Sequence, residues 1–185
     1  MATGLELFSS QGYARTTIEA LCAEAKVTAR HFYQLFDSRE ELLLAIYEQI
    51  LDELREGVLH AMTMPNLSVD EQIEGAVKAS VQHYLADSRR ARIGVLEVVG
   101  VSPLLEARRR RAIQDMATLV ENHLNQLFSK HCAKGVNPHF LALAFVGGIN
   151  ELLAHWLTMP QPPTADALGN EIVQILNSLI RGAKP

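Results

Sequence analysis

The stretch Gly12–Leu42, GYARTTIEALCAEAKVTARHFYQLFDSREEL, contains three successive helix starts. The pair Thr16–Thr17 precedes apolar residues at helical spacing, and a threonine hydroxyl there can accept the free amide hydrogens of a first turn. Thr28 can cap a second helix running through Phe36, and Ser38 a third, whose first turn is acidic. Two helices joined by a short corner form a helix-turn-helix, which lays its second helix in the major groove of DNA.

This segment resembles the N-terminal domain of TetR-like transcriptional repressors. The resemblance covers about a quarter of the chain and rests on many positions, which makes it more specific than one short motif. The matching residues are Leu7, Phe8, Gly12, Tyr13, Thr16, Thr17, Ala25, Val27, Thr28, Phe32, Tyr33, Phe36, Ser38, Arg39, Glu40 and Leu42. The resemblance implies a DNA-binding domain over residues 1–45 and an effector-binding and dimerisation domain over residues 46–185.

The remaining sequence predicts helix after helix, with no alternating strand pattern. Ser38–Met62 is amphipathic, Ser68 begins a further helix, and a short apolar helix is predicted over Arg89–Val101. Pro103 starts a helix that runs to about residue 130. Pro138–Thr158 is apolar nearly all round, and residues 164–182 form the last helix. We therefore predict an all-α fold of about nine helices: a three-helix helix-turn-helix domain followed by a helical ligand-binding and dimerisation bundle.

The last two helices predict a homodimer. A helix that is apolar on every side must be buried on every side, and one layer of neighbours in a chain of this size scarcely covers both. Helices 138–158 and 164–182 of two copies would form a four-helix bundle. Close approach of helices would explain the pair Gly147–Gly148 inside a helix. The alternative is a monomer core that tolerates the glycine pair.

Candidate DNA contacts lie on and around the second helix of the motif. Arg30 suits guanine or a phosphate, Gln34 suits adenine, and the methyl groups of Thr28 and Ala29 suit thymine. The resemblance assigns phosphate contacts to the Tyr33 hydroxyl and to Arg39. The full predicted set is Thr17, Thr28, Ala29, Arg30, His31, Tyr33, Gln34 and Arg39, while Val27, Phe32 and Phe36 are expected to face the core.

A second predicted site is an effector pocket between the helices of the C-terminal half. Buried polar groups need partners, and a pocket is one place to find them. The candidates are His83, Tyr84, Glu97, His123, Asn150, Glu151 and Trp156, of which Trp156 is expected on the inner wall. The basic run Arg108–Arg111 encircles a helix and is interpreted as a solvated face.

Three functional classes stay open on these residues. A ligand-responsive repressor, released from a palindromic operator by a small hydrophobic effector, fits best. A DNA-binding regulator without an effector is the second. A small helical enzyme, with a histidine and Glu97 or Glu151 as an acid–base pair, is distant because no nucleophile or phosphate-binding motif occurs.

Composition is consistent with a cytoplasmic protein without cofactors. The chain has 185 residues, 48% of them hydrophobic, and two cysteines, Cys22 and Cys132, that form no disulfide framework. His83, His123, His131 and His139 show no spacing of metal ligands, so no metal is predicted. No signal peptide or membrane span is expected, because no uncharged apolar stretch is long enough.

Two features of the N-terminal region depart from expectation. Residues 1–50 carry four basic and seven acidic side chains, a net charge of −3 where DNA-binding domains are usually basic. Met1 falls inside the predicted first helix, so the sequence predicts a shortened helix and poor DNA binding for a chain that begins there. Lys26 stands at the corner, where the family commonly has glycine.

Overall fold

A computed structural model of the chain describes residues 1–127 and 136–183, which contain nine α-helices and no strand. The all-α prediction is confirmed. The helices are α1 (Ala2–Gln11), α2 (Ile18–Ala25), α3 (Ala29–Tyr33), α4 (Arg39–Met62), α5 (Val69–Leu85), α6 (Ser88–Arg92), α7 (Pro103–Leu127), α8 (Pro138–Thr158) and α9 (Ala165–Ala183). A 3-10 turn, Tyr13–Arg15, joins α1 to α2, and a π-helical segment, Ile93–Glu97, continues α6.

The predicted helix caps are present. The hydroxyl oxygens of Thr28 and Ser38 accept from the amides of His31 and Glu41, at 3.2 and 3.0 Å. Ser68 forms a capping box, because Glu71 in turn accepts from the Ser68 amide. Each cap stabilises its helix by about 1 kcal/mol. The helix starts were therefore readable from local sequence.

Two helices differ from prediction at their ends. The reading helix α3 ends at Tyr33 instead of Phe36, because its last turn tightens and Ser38 must be extended to cap α4. The helix predicted over 89–101 ends its regular turns at Arg92 and continues as the π-helical segment. Gly94 lies in that segment, where an added Cβ would stand only 3.0 Å from the Tyr84 ring. The wider turn of the π-helical segment thus coincides with the close packing of Gly94 against the Tyr84 ring.

The core follows the apolar face of α4. Its first turns pack against α1, and its later turns pack against α5. The buried side chains on this face are Leu42, Leu43, Ile46, Tyr47, Ile50, Leu54, Val58 and Met62. Because α4 packs on both α1 and α5, it belongs to the N-terminal domain and to the bundle at once. Within the bundle, α7 also pairs with α8, and α9 packs on α5.

Helix α8 is the one helix in the described residues that is long and apolar enough to cross a membrane. Only 22% of its most apolar window is buried, so it differs from an ordinary core helix. It packs along α7 and carries Asn150 and Glu151 in its middle. Its composition is therefore weak evidence for a membrane.

His131 and Cys132 lie outside the described residues.

Lys26 has left-handed backbone angles, φ 55° and ψ 41°, at the end of α2. Its amide donates to the carbonyls of Cys22 and Ala23 while the chain turns into α3. A residue with a Cβ pays for this conformation, whereas glycine adopts it freely. The corner of the helix-turn-helix is thus built with a strained lysine.

We predict that Lys26→Gly raises the free energy of unfolding by about 0.5–1 kcal/mol, because it relieves this strain. Urea denaturation followed by circular dichroism measures the change. Glu24→Gly is the matched control: Glu24 is exposed within α2, so this change should cost about 1 kcal/mol. Equal destabilisation by both substitutions would contradict the assigned strain.

Candidate DNA interface and effector cavity

Helix α3 presents an exposed polar face. Arg30, His31, Tyr33 and Gln34 are all exposed, with 55% of Tyr33 accessible, whereas Phe32 is buried. The Thr17 and Thr28 hydroxyls already accept from backbone amides, so their methyl groups are the parts left for contact with DNA. Ala29 is also exposed. The predicted DNA-contacting residues of α3 therefore share one solvent-facing surface, although Val27, expected in the core, is 37% exposed.

Arg39 has an internal role that the sequence did not indicate. Its guanidinium group lies over the Tyr13 ring, 4.2 Å from the ring centroid. It donates to the Tyr13 carbonyl at 3.0 Å and also to the Thr16 carbonyl. Arg39 thereby ties the start of α4 to the turn before α2. Its predicted phosphate contact stays a prediction, and any such contact would come from a side chain already held in place.

An apolar cavity lies between α4, α5, α7 and α8. It measures about 70 Å³. Its lining contains four polar side chains, Tyr47, Ser80, Tyr84 and Asn150, and no charged one among the described residues. The other lining residues are Leu51, Leu54, Val58, Met62, Ile73, Ala76, Val77, Ala112, Ile113, Met116, Val120, Phe145, Val146 and Ile149. Its predominantly apolar wall makes this cavity the candidate effector site.

The two cavity tyrosines hold their protons. Burial raises the pKa of Tyr47 to about 12, although Arg108 and Arg109 act in the opposite direction. Burial, together with the Tyr47 charge, raises the pKa of Tyr84 as well. Both phenols are therefore hydrogen-bond donors at neutral pH. Tyr47 was missed from sequence because it sits in the apolar stripe of α4, where it reads as a core residue.

The predicted ligand set is only partly gathered at this cavity. Tyr84 and Asn150 line it, whereas the other five candidates do not. Glu151 is exposed beside a separate groove with Arg109. The expectation that Trp156 forms the inner wall is wrong, since its indole N–H donates to the Pro163 carbonyl at 2.8 Å. Polarity within an apolar helix did not reveal which side of the helix faces the cavity.

The two histidines among those candidates lie outside the lining. His123 contacts the Met62 carbonyl at 3.3 Å through Nε2, and its Nδ1 is buried without a partner. His83 packs edge-on against Tyr84, and burial lowers its pKa, with Arg90 acting in the same direction. Within residues 1–127 and 136–183, no group of three potential metal ligands lies close together.

The basic run of α7 is not simply solvated. Arg108 forms an ion pair with Glu48 of α4 and is about three-quarters buried. Arg109 pairs with Glu106 at 3.2 Å, and Arg111 with Asp115 at the same distance. The expectation of a solvated face is thus wrong for Arg108, because α4 approaches α7 on that side and supplies a carboxylate.

Glu97 joins the bundle to the helix-turn-helix. Its Oε2 accepts from the Tyr13 amide at 2.9 Å, and Arg92 donates to its Oε1 at 3.3 Å. Gly12, with φ +87°, lies against the same carboxylate, 3.4 Å from the position of an added Cβ. Glu97 was predicted as a ligand residue. The structure instead places it between the domains, a long-range contact that sequence spacing does not show.

Two further polar contacts lie on the same side of the molecule. Arg89 pairs with Glu6 of α1 at 2.7 Å, and the Ser102 hydroxyl donates to Glu40 of α4 at 2.6 Å. The Arg89–Glu6 pair is exposed and contributes little stability alone, whereas the Ser102–Glu40 bond is half-buried. The more buried Glu97 contact is therefore the specific link between the π-helical segment and the DNA-binding domain.

Comparison with known proteins identifies the N-terminal domain. The family of bacterial regulatory proteins named tetR matches residues 1–46. Residues 1–46 therefore form a DNA-binding domain of the tetR type, and the family resemblance read from sequence is confirmed for this part of the chain.

Similar proteins extend the likeness beyond that domain. The uncharacterized HTH-type transcriptional regulator YuxN of Bacillus subtilis (strain 168) is 23% identical over 99% of this chain, which spans 64% of that relative. FadR of Bacillus subtilis, solved with stearoyl-CoA, superposes with a TM-score of 0.78 at 16% identity, covering 98% and 96% of the two chains. AibR, solved with isovaleryl coenzyme A and operator DNA, gives 0.75 at 19% identity, covering 94% of each. These structures share the fold of this chain.

We predict that Glu97→Ala speeds hydrogen exchange of the Tyr13 amide at least about tenfold, because the amide loses its acceptor. Glu97→Gln should keep much of the protection, since an amide oxygen can replace the carboxylate oxygen. Exchange measured by mass spectrometry on peptides that begin at or before residue 10 and extend past Tyr13 gives the result. Glu56→Ala, at an exposed acid on α4, is the matched control and should leave the exchange unchanged. Unchanged exchange in Glu97→Ala would contradict the contact.

Proposed function

We propose that this chain is a ligand-responsive transcription regulator, a repressor that a small hydrophobic effector releases from a near-palindromic operator. Residues 1–45 read the DNA in this proposal, and residues 46–185 bind the effector and a second copy of the chain. The protein acts in the cytoplasm, where its operator lies. An effector-independent regulator is the alternative outcome of the tests below.

The observation that carries the proposal is a short series of contacts from the cavity to the reading domain. Tyr84 forms part of the cavity wall and packs on Gly94 of the π-helical segment. That segment ends in Glu97, which binds the Tyr13 amide. Tyr13 in turn lies beneath Arg39 at the start of α4. A ligand that moves Tyr84 can therefore shift the base of the helix-turn-helix.

The small size of the cavity favours such coupling. About 70 Å³ is less than the few hundred Å³ of typical ligand sites, so an effector must displace side chains to enter. Met62 and Met116 in the wall are flexible enough to move. Only a ligand that binds the two conformations with different affinity can change DNA binding. Entry that rearranges the wall supplies that difference.

Acyl-CoA compounds are the first effectors to test. FadR and AibR, which share the fold, were solved with stearoyl-CoA and isovaleryl coenzyme A. An acyl chain matches the narrow apolar cavity between α4, α5, α7 and α8. The low sequence identity to both proteins leaves the choice of acyl chain to experiment.

Operator release is the direct test. A duplex selected from random sequences by the full-length protein is titrated with isovaleryl-CoA and stearoyl-CoA. We expect one compound to weaken DNA binding at least about fivefold, a usual size for allosteric coupling, and to bind the protein more weakly by the same factor when operator is present. A regulator that binds its duplex equally with and without every acyl-CoA would support the effector-independent alternative.

Base reading by α3 makes a second prediction. Arg30→Ala and Gln34→Ala should each relax preference at particular base pairs, by about 1–3 kcal/mol for a bidentate contact. Tyr33→Phe and Arg39→Ala should weaken binding across sequences and reduce its salt dependence. Because Arg39 also holds two backbone carbonyls, Arg39→Ala should lower the melting temperature, whereas Tyr33→Phe should not.

Binding to single-substitution duplexes at two salt concentrations separates these effects. Lys78→Ala, on the exposed face of α5, is the control for loss of a positive charge. Equal, salt-insensitive losses for all four α3 and α4 variants would contradict the division between base and phosphate contacts.

We further propose that α8 and α9 form the interface with a second copy of the chain. Phe140, Ile175 and Leu179 are exposed by 67%, 42% and 41%, although all three are large apolar side chains. Gly147 and Gly148 face open space, since an added Cβ at either meets nothing within 4 Å. Within residues 1–127 and 136–183, no helix uses the close approach that these glycines permit. A partner helix in a two-fold dimer would use it.

We therefore expect the protein to sediment as a dimer and Leu179→Asp to sediment as a monomer, because the interface cannot bury an unpaired carboxylate. Analytical ultracentrifugation measures both. Leu67→Asp, at a similarly exposed leucine in the loop before α5, is the matched control and should remain dimeric. A monomeric wild-type protein at micromolar concentration would refute the interface.

A further inference from the structure

The polar groups of the cavity have an uneven set of hydrogen-bond partners. The Ser80 hydroxyl donates to the Ala76 carbonyl at 2.8 Å, and the Asn150 amide nitrogen donates to the Val146 carbonyl at 2.9 Å. By contrast, the hydroxyls of Tyr47 and Tyr84 form no hydrogen bond within the described part of the chain. Two strong donors in the cavity wall therefore have no acceptor in the described part of the protein.

The surroundings disfavour a charged ligand group in the cavity. No side chain in its described lining carries a charge. The two guanidinium groups that act electrostatically on Tyr47 already have counter-ions, Arg108 with Glu48 and Arg109 with Glu106. Arg108 Nη1 is buried without a hydrogen-bond partner, but Arg108 is not part of the cavity lining. An anion placed beside the phenols would therefore lose its hydration without gaining a cation in the cavity wall. A neutral acceptor avoids that cost.

We propose that the cavity selects an uncharged carbonyl group on an otherwise apolar chain, such as an ester or thioester, with Tyr47 and Tyr84 as the hydrogen-bond donors. This inference rests on the proposed effector function and specifies the chemistry of its ligand. An alkane leaves both donors unsatisfied. A free carboxylate accepts from both hydroxyls, but its charge loses its hydration on entering the cavity.

The placement of the two tyrosines supports a shared acceptor. Tyr47 lies on α4 and Tyr84 on α5, and both line the same cavity of about 70 Å³, so one small ligand group can lie beside both. A carbonyl oxygen has two lone pairs and can accept from both hydroxyls at once. Such a ligand would join α4, which enters the DNA-binding domain, to Tyr84, which packs on Gly94.

The test uses four probes of matched chain length on the full-length protein: methyl hexanoate, heptane, hexanoate and hexanoyl-CoA. Isothermal titration calorimetry measures each affinity. We expect methyl hexanoate to bind at least about tenfold more tightly than heptane or hexanoate, which corresponds to the net effect of one or two good hydrogen bonds. Tyr84→Phe and Tyr47→Phe should each remove most of that preference while leaving heptane binding unchanged.

Thr118→Val is the matched control, because it deletes an exposed hydroxyl from α7, a helix that also lines the cavity. It should leave the preference for the ester intact. Circular dichroism and melting temperature confirm that each variant is folded. The hexanoyl-CoA titration separates a thioester ligand from a simple ester, since both should lose affinity in Tyr84→Phe.

Several outcomes would overturn the inference. Equal affinity for methyl hexanoate and heptane would show that the phenols do not bind the carbonyl group. The proposal of an apolar effector would be unaffected by that result. Tightest binding of hexanoate would assign the site to an anion. Hexanoyl-CoA binding that survives both phenylalanine substitutions would place recognition on the nucleotide part. If no probe binds, the inferred carbonyl selectivity is also refuted. The operator-release experiment then tests the proposed function independently.

Discussion

The continuous apolar stripe of α4 is the constraint on which the structure depends. One helix supplies core residues to two bodies, with Leu42 and Ile46 packing toward α1 and Leu54 and Val58 lining the bundle and its cavity. A helix transmits displacement along its axis because its backbone hydrogen bonds resist bending. In the proposed mechanism, repacking of its bundle end displaces its first turn, where Arg39 holds the carbonyls of the helix-turn-helix.

A second connection runs beside α4 and depends on charge. The π-helical segment carries Glu97 to the Tyr13 amide, with Arg92 at its other oxygen. Gly12 permits the approach because its positive φ and missing Cβ leave room for the carboxylate. Two routes therefore join the cavity wall to the reading domain, one through packing and one through a single charged side chain. In the proposed mechanism an effector acts on both, since Tyr47 belongs to α4 and Tyr84 contacts Gly94.

The N-terminal domain reconciles acidic composition with DNA binding through placement. Arg30 and His31 lie on the exposed face of α3, whereas Glu48 is paired with Arg108 and Glu6 with Arg89 in the bundle. Part of the negative charge counted in the first fifty residues is thus neutralised by partners far along the chain. A local charge sum overstates the repulsion that a phosphate backbone would meet.

Local sequence determined the helix starts, the all-α class and the helix-turn-helix, because caps and apolar periodicity act within a few residues. Thr28, Ser38 and Ser68 cap the helices that their sequence predicts. Only the tertiary structure decided which polar groups meet. The Glu97 carboxylate accepts a hydrogen bond from the amide of Tyr13, 84 positions away in sequence. The Trp156 indole N–H donates to the Pro163 carbonyl, and Tyr47 lines the cavity. Such outcomes depend on how helices pack side by side, and helical periodicity shows which residues share a face but not what that face contacts.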